Sequence, residues 1–175
     1  MMLKIETLKA AHLAFKNVED HVLRRKLLAI EQVIRSASHN TFQLRQARFT
    51  AESLGGQLLG TSDLIEAGDR VQLSNTGVND GLYSVTEVHN GVTVLDGRLF
   101  DHPGNRLTKV QYPSDVIEGA INLLVWEINN RDKVGVHTEQ ISRYRVTYFD
   151  VDVTHVNGYP ASLLGFLTPY RRAQI

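Results

Sequence analysis

The chain has 175 residues, 19 basic and 19 acidic side chains, and no cysteine. This length suits one domain, or one domain with a sizeable insertion, and 42% hydrophobic residues suffice for an ordinary core. The absence of cysteine excludes disulfides, thiolate metal sites and a cysteine nucleophile. A formal net charge of zero disfavours a chain-wide surface for DNA phosphates, because such surfaces usually carry a basic excess.

The N-terminal stretch 1–16 carries charged side chains scattered among its apolar residues. A secretory signal peptide has a continuous apolar core instead. No apolar run in the chain approaches the roughly 20 residues that a membrane span requires. We therefore expect no signal peptide in this stretch and no membrane partner.

The first predicted helix begins near Asn17, a residue type that caps helices, and ends within 36–40, where polar turn residues cluster. Apolar residues recur within it at helical spacing, and these are Leu23, Leu27, Ile30 and Ile34. The far side carries a basic run at 24–26. We interpret this run as a solvated helix face, with a nucleic-acid contact as the alternative.

A second helix is predicted after Pro113, with Ser114 as its cap and Asp115 in the first turn, where the helix dipole favours negative charge. Its apolar stripe comprises Ile117, Ile121, Leu124 and Ile128. Two helices with one stripe each can bury those stripes against each other. The sequence therefore predicts a small helical bundle whose core includes Ile30, Ile34, Ile121 and Leu124.

Turn signals dominate the stretch between these helices. Asn90-Gly91 separates two apolar runs at 82–88 and 92–95, which is the strongest short-range signal of a β-hairpin. Further turns separate additional short strands, including one predicted at 43–51. Four or five such strands predict a small β-barrel or sandwich. The predicted fold is α+β, with a helical domain at 1–42 and 107–175 and an inserted β subdomain at 43–106.

A C-terminal arm of strand and helix is predicted after the second helix. Alternating residues predict a strand from position 143, and a one-residue slip near Tyr148 indicates a bulge. Asn157-Gly158 predicts a turn, and Pro160 and Pro169 bound a short last helix. Aromatic residues concentrate in this arm, and such residues are enriched at interfaces as well as in cores.

No catalytic or metal-binding constellation is recognisable in the sequence. Asp150 and Asp152 share one strand face as a weak cation candidate, and Asp101 with His102 is the least favoured alternative, a small hydrolase site. No nucleophile elbow or phosphate-binding glycine loop occurs, so we expect no enzymatic activity and no cofactor. The histidines lack zinc-site spacing and are interpreted as surface or locally hydrogen-bonded side chains, at His12, His21, His39, His89, His102, His137 and His155.

Three stretches resemble the head–tail connector family of tailed phages, which includes the adaptor beneath the portal. The first is LRRKLLAIEQVIR at 23–35, followed by Thr41-Phe42. The second is GVHTEQISRYRVTY at 135–148, which is similar to the family pattern Gly-x-x-Ser/Thr-Glu-x-Ile-x-x-Tyr-x-Val-x-Tyr. The third runs from Tyr159-Pro160 to Tyr170-Arg171-Arg172. The β insertion lies largely outside the resemblance, because many relatives lack it.

The resemblance implies a non-enzymatic structural subunit of the virion neck, assembled in the host cytoplasm. It implies a homo-oligomeric ring, a dodecamer in the family, that docks beneath the portal protein and extends the DNA channel. Genomic DNA would pass through without sequence-specific binding, and the next neck, stopper or tail-completion protein would bind below. The expected portal or ring interface, which we place outside the subunit's own core, comprises Tyr159, Leu163, Leu164, Phe166, Leu167, Tyr170, Arg171 and Arg172.

A nucleic-acid-binding module is the alternative function, with the β unit acting as an oligonucleotide-binding barrel. That function requires exposed aromatic residues and a basic face on the strands. Tyr83 is the only aromatic residue within 70–95, and four acidic residues lie in or beside these strands, namely Asp69, Asp80, Glu87 and Asp96. The residues therefore favour assembly over nucleic-acid binding.

Overall fold

The computed structural model describes residues 2–130, 138–141, 144–147 and 155–173, and the fold is mixed α+β, as predicted. Its helices are α1 (Ile5–Ala11), α2 (Asp20–Ser38) and α3 (Ser114–Asn130), with 3-10 helices at Leu13–Phe15 and Ala161–Tyr170. Its strands are β1 (Gln43–Leu54), β2 (Gln57–Leu59), β3 (Arg70–Ser74), β4 (Gly81–His89), β5 (Val92–Leu95), β6 (His102–Val110), β7 (Thr138–Ile141), β8 (Tyr144–Thr147), β9 (His155–Val156) and β10 (Tyr159–Pro160). None of the helices described is long and apolar enough to cross a bilayer.

The chain divides into two compact units. Thr41–Tyr112 form the β unit, and Leu3–Asn40 together with Pro113–Ile175 form the helical unit. The predicted boundary at 106 falls inside β6, which continues to Val110 while pairing with both β1 and β3. The β unit therefore ends after this strand, because cutting β6 at 106 would remove partners from two neighbouring strands.

The helical unit begins with α1, which the sequence did not predict and which buries Ile5 and Leu8. The helix predicted to start near Asn17 begins three residues later, at Asp20, and Asn17 lies in the preceding turn, so its predicted capping role is wrong. The capping position is Glu19, whose side chain makes no capping hydrogen bond. The predicted stripe of α2 is confirmed, because all four of its apolar residues are fully buried, namely Leu23, Leu27, Ile30 and Ile34.

The buried face of α3 is rotated from the predicted one. Ile121 and Leu124 are buried as expected, but Ile117 and Ile128 are only half-buried. The residues that complete the face are Val116, Gly119, Ala120, Leu123 and Glu127. The rotation arises because α3 packs against both α2 and the C-terminal 3-10 helix, so that a face wider than one narrow stripe is covered.

A partly buried ion pair connects α2 to α3. The Lys26 ammonium lies 3.0 Å from the Glu127 carboxylate, and the two side chains are 25% and 10% exposed. Lys26 is the last residue of the basic run, whereas its neighbours Arg24 and Arg25 are exposed. The solvated-face interpretation therefore holds for the two arginines, while the lysine takes part in helix packing.

The β unit is one closed six-stranded sheet in the order β1-β2-β5-β4-β3-β6. β6 pairs with β3 on one side and with β1 on the other, so the ladder of hydrogen bonds returns to its first strand. Inward-pointing side chains of the strands form an apolar core, which contains Ala47, Ala51, Leu58, Val71, Leu73, Val85, Leu95 and Leu107. Ile65 and Leu99 join this core from the loops between strands.

The predicted hairpin at Asn90-Gly91 is confirmed. β4 and β5 pair around it, and the backbone φ angles of the two turn residues are 47° and 78°. Both angles are positive, as a type I′ turn requires, and Asn and Gly tolerate them. In the helical unit β7 pairs with β8, where the strand from 143 was expected. The bulge predicted near Tyr148 lies outside the described residues.

Candidate interaction site at the C-terminal segment

The C-terminal segment, defined here as residues 155–173, begins with a tight hairpin. Asn157 and Gly158 have φ angles of 52° and 80°, so the predicted turn is confirmed, and it joins β9 to β10. Pro160 then precedes the 3-10 helix, which ends at Tyr170, immediately after Pro169. A helix this short has marginal stability by itself, so packing must hold it in place.

One side of the C-terminal segment belongs to the core of the helical unit. Leu164 and Leu167 are buried, and the buried Tyr159 ring lies 5.3 Å from the indole of Trp126 on α3. The expectation that this segment stays outside the subunit's own core is therefore wrong for these three residues. Its apolar side chains supply part of the surface that α2 and α3 bury.

Phe166 fits against α3 at a position that has no side chain. A Cβ atom at Gly119 would lie 2.4 Å from the Phe166 ring, closer than real Cβ contacts ever come. Glycine in a helix interior costs about 1 kcal/mol relative to alanine. At Gly119 this cost is offset by packing, because the absence of a side chain leaves room for the Phe166 ring.

Polar contacts fix the end of the C-terminal segment. The Tyr170 hydroxyl donates to both carboxylate oxygens of Asp115 at 2.8 Å, and the Asn40 side-chain amide donates to the Tyr170 carbonyl at 3.0 Å. The Arg172 backbone N–H donates to the Ser38 carbonyl at 2.9 Å. The hydrogen bond to Asp115 raises the pKa of the Tyr170 hydroxyl, because it favours the protonated phenol.

The opposite side of the C-terminal segment faces outward. Leu163 is half-buried on this side, and Arg171 and Arg172 are exposed. Phe166 and Tyr170 are also half-buried, because each contacts α3 on its other side. Beside them a groove of about 600 Å³ runs along α3. Apolar lining from Val125, Trp126, Leu163 and Phe166 forms its floor, and exposed Asp115 and Glu118 lie at one end.

The other candidate catalytic or metal-binding side chains make hydrogen bonds to nearby backbone N–H groups. The Asp101 carboxylate accepts from the Gly55 N–H at 2.9 Å, and the His102 imidazole accepts from the Gly104 N–H at 3.1 Å. His12 likewise accepts from the Ala14 N–H. Among the residues that the structure describes, no three His, Asp or Glu side chains gather as metal ligands would. The candidate pair Asp150 and Asp152 lies outside the described residues.

Sequence reasoning missed three residues of the site on α3, namely Asp115 as a hydrogen-bond acceptor, Gly119 as the seat of Phe166, and Trp126 as the partner of Tyr159. The signal for Gly119 was available, because a glycine inside a strongly helical pattern usually has a packing reason. No comparable local signal pairs Trp126 with Tyr159.

No protein-family model matches the sequence, and no curated protein matches it.

Proposed function

We propose that this chain is a structural head–tail connector subunit of a tailed phage, a neck protein that forms a ring beneath the portal. The single observation that carries the proposal is the two-sided C-terminal segment. Leu164 and Leu167 anchor it in the subunit, while Leu163, Arg171 and Arg172 face outward. Three stretches of sequence that resemble connector proteins, the last within this segment, support the same function.

The physical features of the segment suit an assembly contact. Apolar side chains at the centre of an interface supply most of its affinity, and arginines at the rim set orientation and the rate of encounter. Because the segment is already ordered by Tyr170, Asn40 and Ser38, binding a partner costs little additional ordering. In this proposal the partners are further copies of the subunit, the portal protein and the next neck or tail protein.

The alternative of a nucleic-acid-binding β unit has less support. Tyr83 is the aromatic residue that an oligonucleotide-binding face would use, but its ring packs on the apolar core and against Gly97. Its hydroxyl donates to the Asn79 carbonyl at 3.1 Å. A ring engaged in this way does not offer an open face for stacking with a base.

Incorporation into phage heads tests the proposal. Purified subunit is added to portal-bearing heads that lack it, and bound protein is measured after sedimentation. The wild-type chain should bind, and the double variant Arg171→Glu, Arg172→Glu should bind at least about tenfold less, because two charges at an interface rim are reversed. Failure of the wild-type chain to bind would disprove the proposed function.

A matched control uses the other exposed arginine pair. Arg24→Glu, Arg25→Glu introduces the same charge change on α2, and this variant should bind heads as the wild type does. Equal loss in both variants would mean that general charge, and not the C-terminal segment, governs binding. Binding of single-stranded DNA by the wild-type protein in the absence of heads would support the alternative function instead.

A further inference from the structure

Basic residues are concentrated on three neighbouring strands of the β unit. β6 lies between β1 and β3 and pairs with both. With histidine counted as neutral, these strands carry five basic residues and one acidic residue, which are Arg45, Arg48, Arg70, Arg106 and Lys109 against Glu52. The chain as a whole has a formal net charge of zero. A local basic excess within a neutral chain attracts negatively charged partners to that surface.

Three of these basic residues are exposed on the outside of the barrel. Leu107 is buried in the core, and its neighbour Arg106 points to the opposite, outer face because side chains alternate along a strand. Arg48 lies opposite Thr108 on β6 and points to the same outer face. Arg45 is exposed in the irregular part of β1 just before it. We call Arg45, Arg48 and Arg106 the basic face.

The positive charge of the basic face is not neutralised within the β unit. The other two basic residues of these strands have partners there, because Arg70 donates to the Ser84 hydroxyl at 3.2 Å and the Lys109 ammonium lies 2.7 Å from the Asp69 carboxylate. In the part of the chain that the structure describes, no arginine of the basic face forms an ion pair. The basic face therefore retains its charge for a partner outside the subunit.

Uncharged side chains hold the central arginine of the basic face in position. Arg48 Nε donates to the Thr108 hydroxyl and Arg48 Nη2 donates to the Gln43 side-chain oxygen, both at 2.9 Å. The Gln43 amide in turn donates to the Gln72 side-chain oxygen at 3.2 Å. These bonds leave further N–H groups of the guanidinium for an anion, since arginine carries five. Because the side chain is already ordered, binding an anion there costs little additional entropy.

From this arrangement we infer that the basic face contacts the phosphate backbone of duplex DNA without reading its sequence. Arginines, with hydroxyl and amide side chains such as the exposed Thr50 and Gln46 beside them, are the groups that contact DNA phosphates. Proteins bind single strands by stacking bases on exposed aromatic rings, but the aromatic residue of β1, Phe49, packs against the core. A lipid surface would require exposed apolar side chains among the arginines, whereas the exposed residues of β1 from 45 to 50 are all polar.

This contact rests on the proposed function, in which the ring encloses duplex DNA, and it assigns a role to the β unit within that ring. A ring repeats the basic face once per subunit, so weak phosphate contacts add together along the enclosed duplex. Contacts to phosphates alone carry no sequence information. The basic face would therefore hold the DNA at any position along its sequence.

Binding of duplex DNA by the purified full-length chain tests the inference. Fluorescence anisotropy is measured with two labelled duplexes of equal length and unrelated sequence, over a range of salt concentrations that begins at about 20 mM. The wild type should bind both duplexes equally. The logarithm of the binding constant should fall with the logarithm of salt concentration with a slope of about −2.7, as expected for three phosphate contacts.

Variants of the basic face assign the binding to its arginines. Arg106→Gln removes a side chain that lies outside the Arg48 network, so this variant should fold normally, bind more weakly and reduce the slope by about 0.9. Arg48→Gln, Arg106→Gln should reduce the slope by about 1.8. The matched control Arg24→Gln, Arg25→Gln removes two exposed arginines of α2 and should change neither affinity nor slope. Thermal melting checks that each protein is folded.

Several results would overturn the inference. These are unchanged binding by the Arg106→Gln variant, loss of binding in the α2 control, a preference for one duplex sequence, and tighter binding of a single strand of the same length. If the wild type binds heads but not duplex DNA, the DNA contact is disproved and the proposed function is not. If it binds duplex DNA through the basic face but does not bind heads, the proposed function is disproved and the DNA contact is not.

Discussion

Tyr170 is the residue through which the ordering of the C-terminal segment depends on ionisation. Its hydroxyl is the donor to the Asp115 carboxylate, so the contact requires the protonated phenol. Ionisation would remove this hydrogen bond and also place a phenolate next to a carboxylate, and both effects raise the Tyr170 pKa above its ordinary value of 10.0. A group whose pKa is raised on folding stabilises the fold below its unfolded pKa, and this stabilisation is lost as pH rises through the folded pKa.

We therefore predict that the stability difference between the wild type and Tyr170→Phe depends on pH. Below about pH 9 the wild type should be the more stable, because the hydroxyl hydrogen bond is intact. Above the raised pKa the difference should vanish or reverse, because the variant has no hydroxyl to ionise. Urea unfolding at a series of pH values measures the difference. A constant gap from neutral pH to pH 11 would contradict the assigned hydrogen bond.

The packing of the C-terminal 3-10 helix depends on a position of α3 that has no side chain, Gly119. Phe166 occupies the space over Gly119 that any side chain would fill. Replacing Gly119 by alanine should therefore change stability in opposite directions when the Phe166 ring is present and when it is absent. It improves helix propensity by about 1 kcal/mol, whereas overpacking costs about 1–3 kcal/mol.

We predict that Gly119→Ala destabilises the protein by about 1 kcal/mol, since overpacking exceeds the gain in propensity. In the Phe166→Ala background the same change should be neutral or stabilising, because the clash is gone. Chemical unfolding of the four proteins completes the double-mutant cycle. Additive effects would show that the ring does not lie over Gly119.

Gly165→Ala is the matched control for this cycle. Gly165 lies in the 3-10 helix, where an added Cβ meets nothing within 4 Å. The change should shift stability by less than about 0.5 kcal/mol. A large effect at Gly165 would mean that the 3-10 helix, and not the Phe166 contact, responds to any substitution.

At the scale of the whole molecule, the β unit has what independent folding requires. It contains its own buried apolar core, and its strand ladder closes on itself. We predict that a fragment of residues 41–112 folds cooperatively by itself, as measured by circular dichroism and thermal melting. A fragment of residues 41–106 should not fold, because it lacks the part of β6 that pairs with the four β3 residues at 70–73. Equal folding of both fragments would contradict the position of the unit boundary.

The features of this fold that were predicted correctly depend on residues that are close together in the sequence. The α2 stripe and the Asn90-Gly91 turn follow from spacing and residue type, so both were predicted correctly. The rotated face of α3 could not be predicted from the same signals, because it depends on the distant residues Phe166 and Tyr159 packing on that helix. The position of the candidate site was predicted from its aromatic residues and arginines. The burial of Tyr159, Leu164 and Leu167 could not be predicted, because it depends on tertiary packing.

The junction at which the chain enters and leaves the β unit has a consequence for folding order. The Gln111 N–H donates to the Phe42 carbonyl at 2.9 Å, and the rings of Phe42 and Tyr112 lie 4.9 Å apart. Once the β unit has folded, α2 and α3 are therefore joined by a short bridge in place of a long unfolded loop. The entropy of closing a loop grows with its length, so prior folding of the β unit lowers the cost of bringing the two helices together. Prior folding of the insertion would therefore favour assembly of the helical unit that flanks it in sequence.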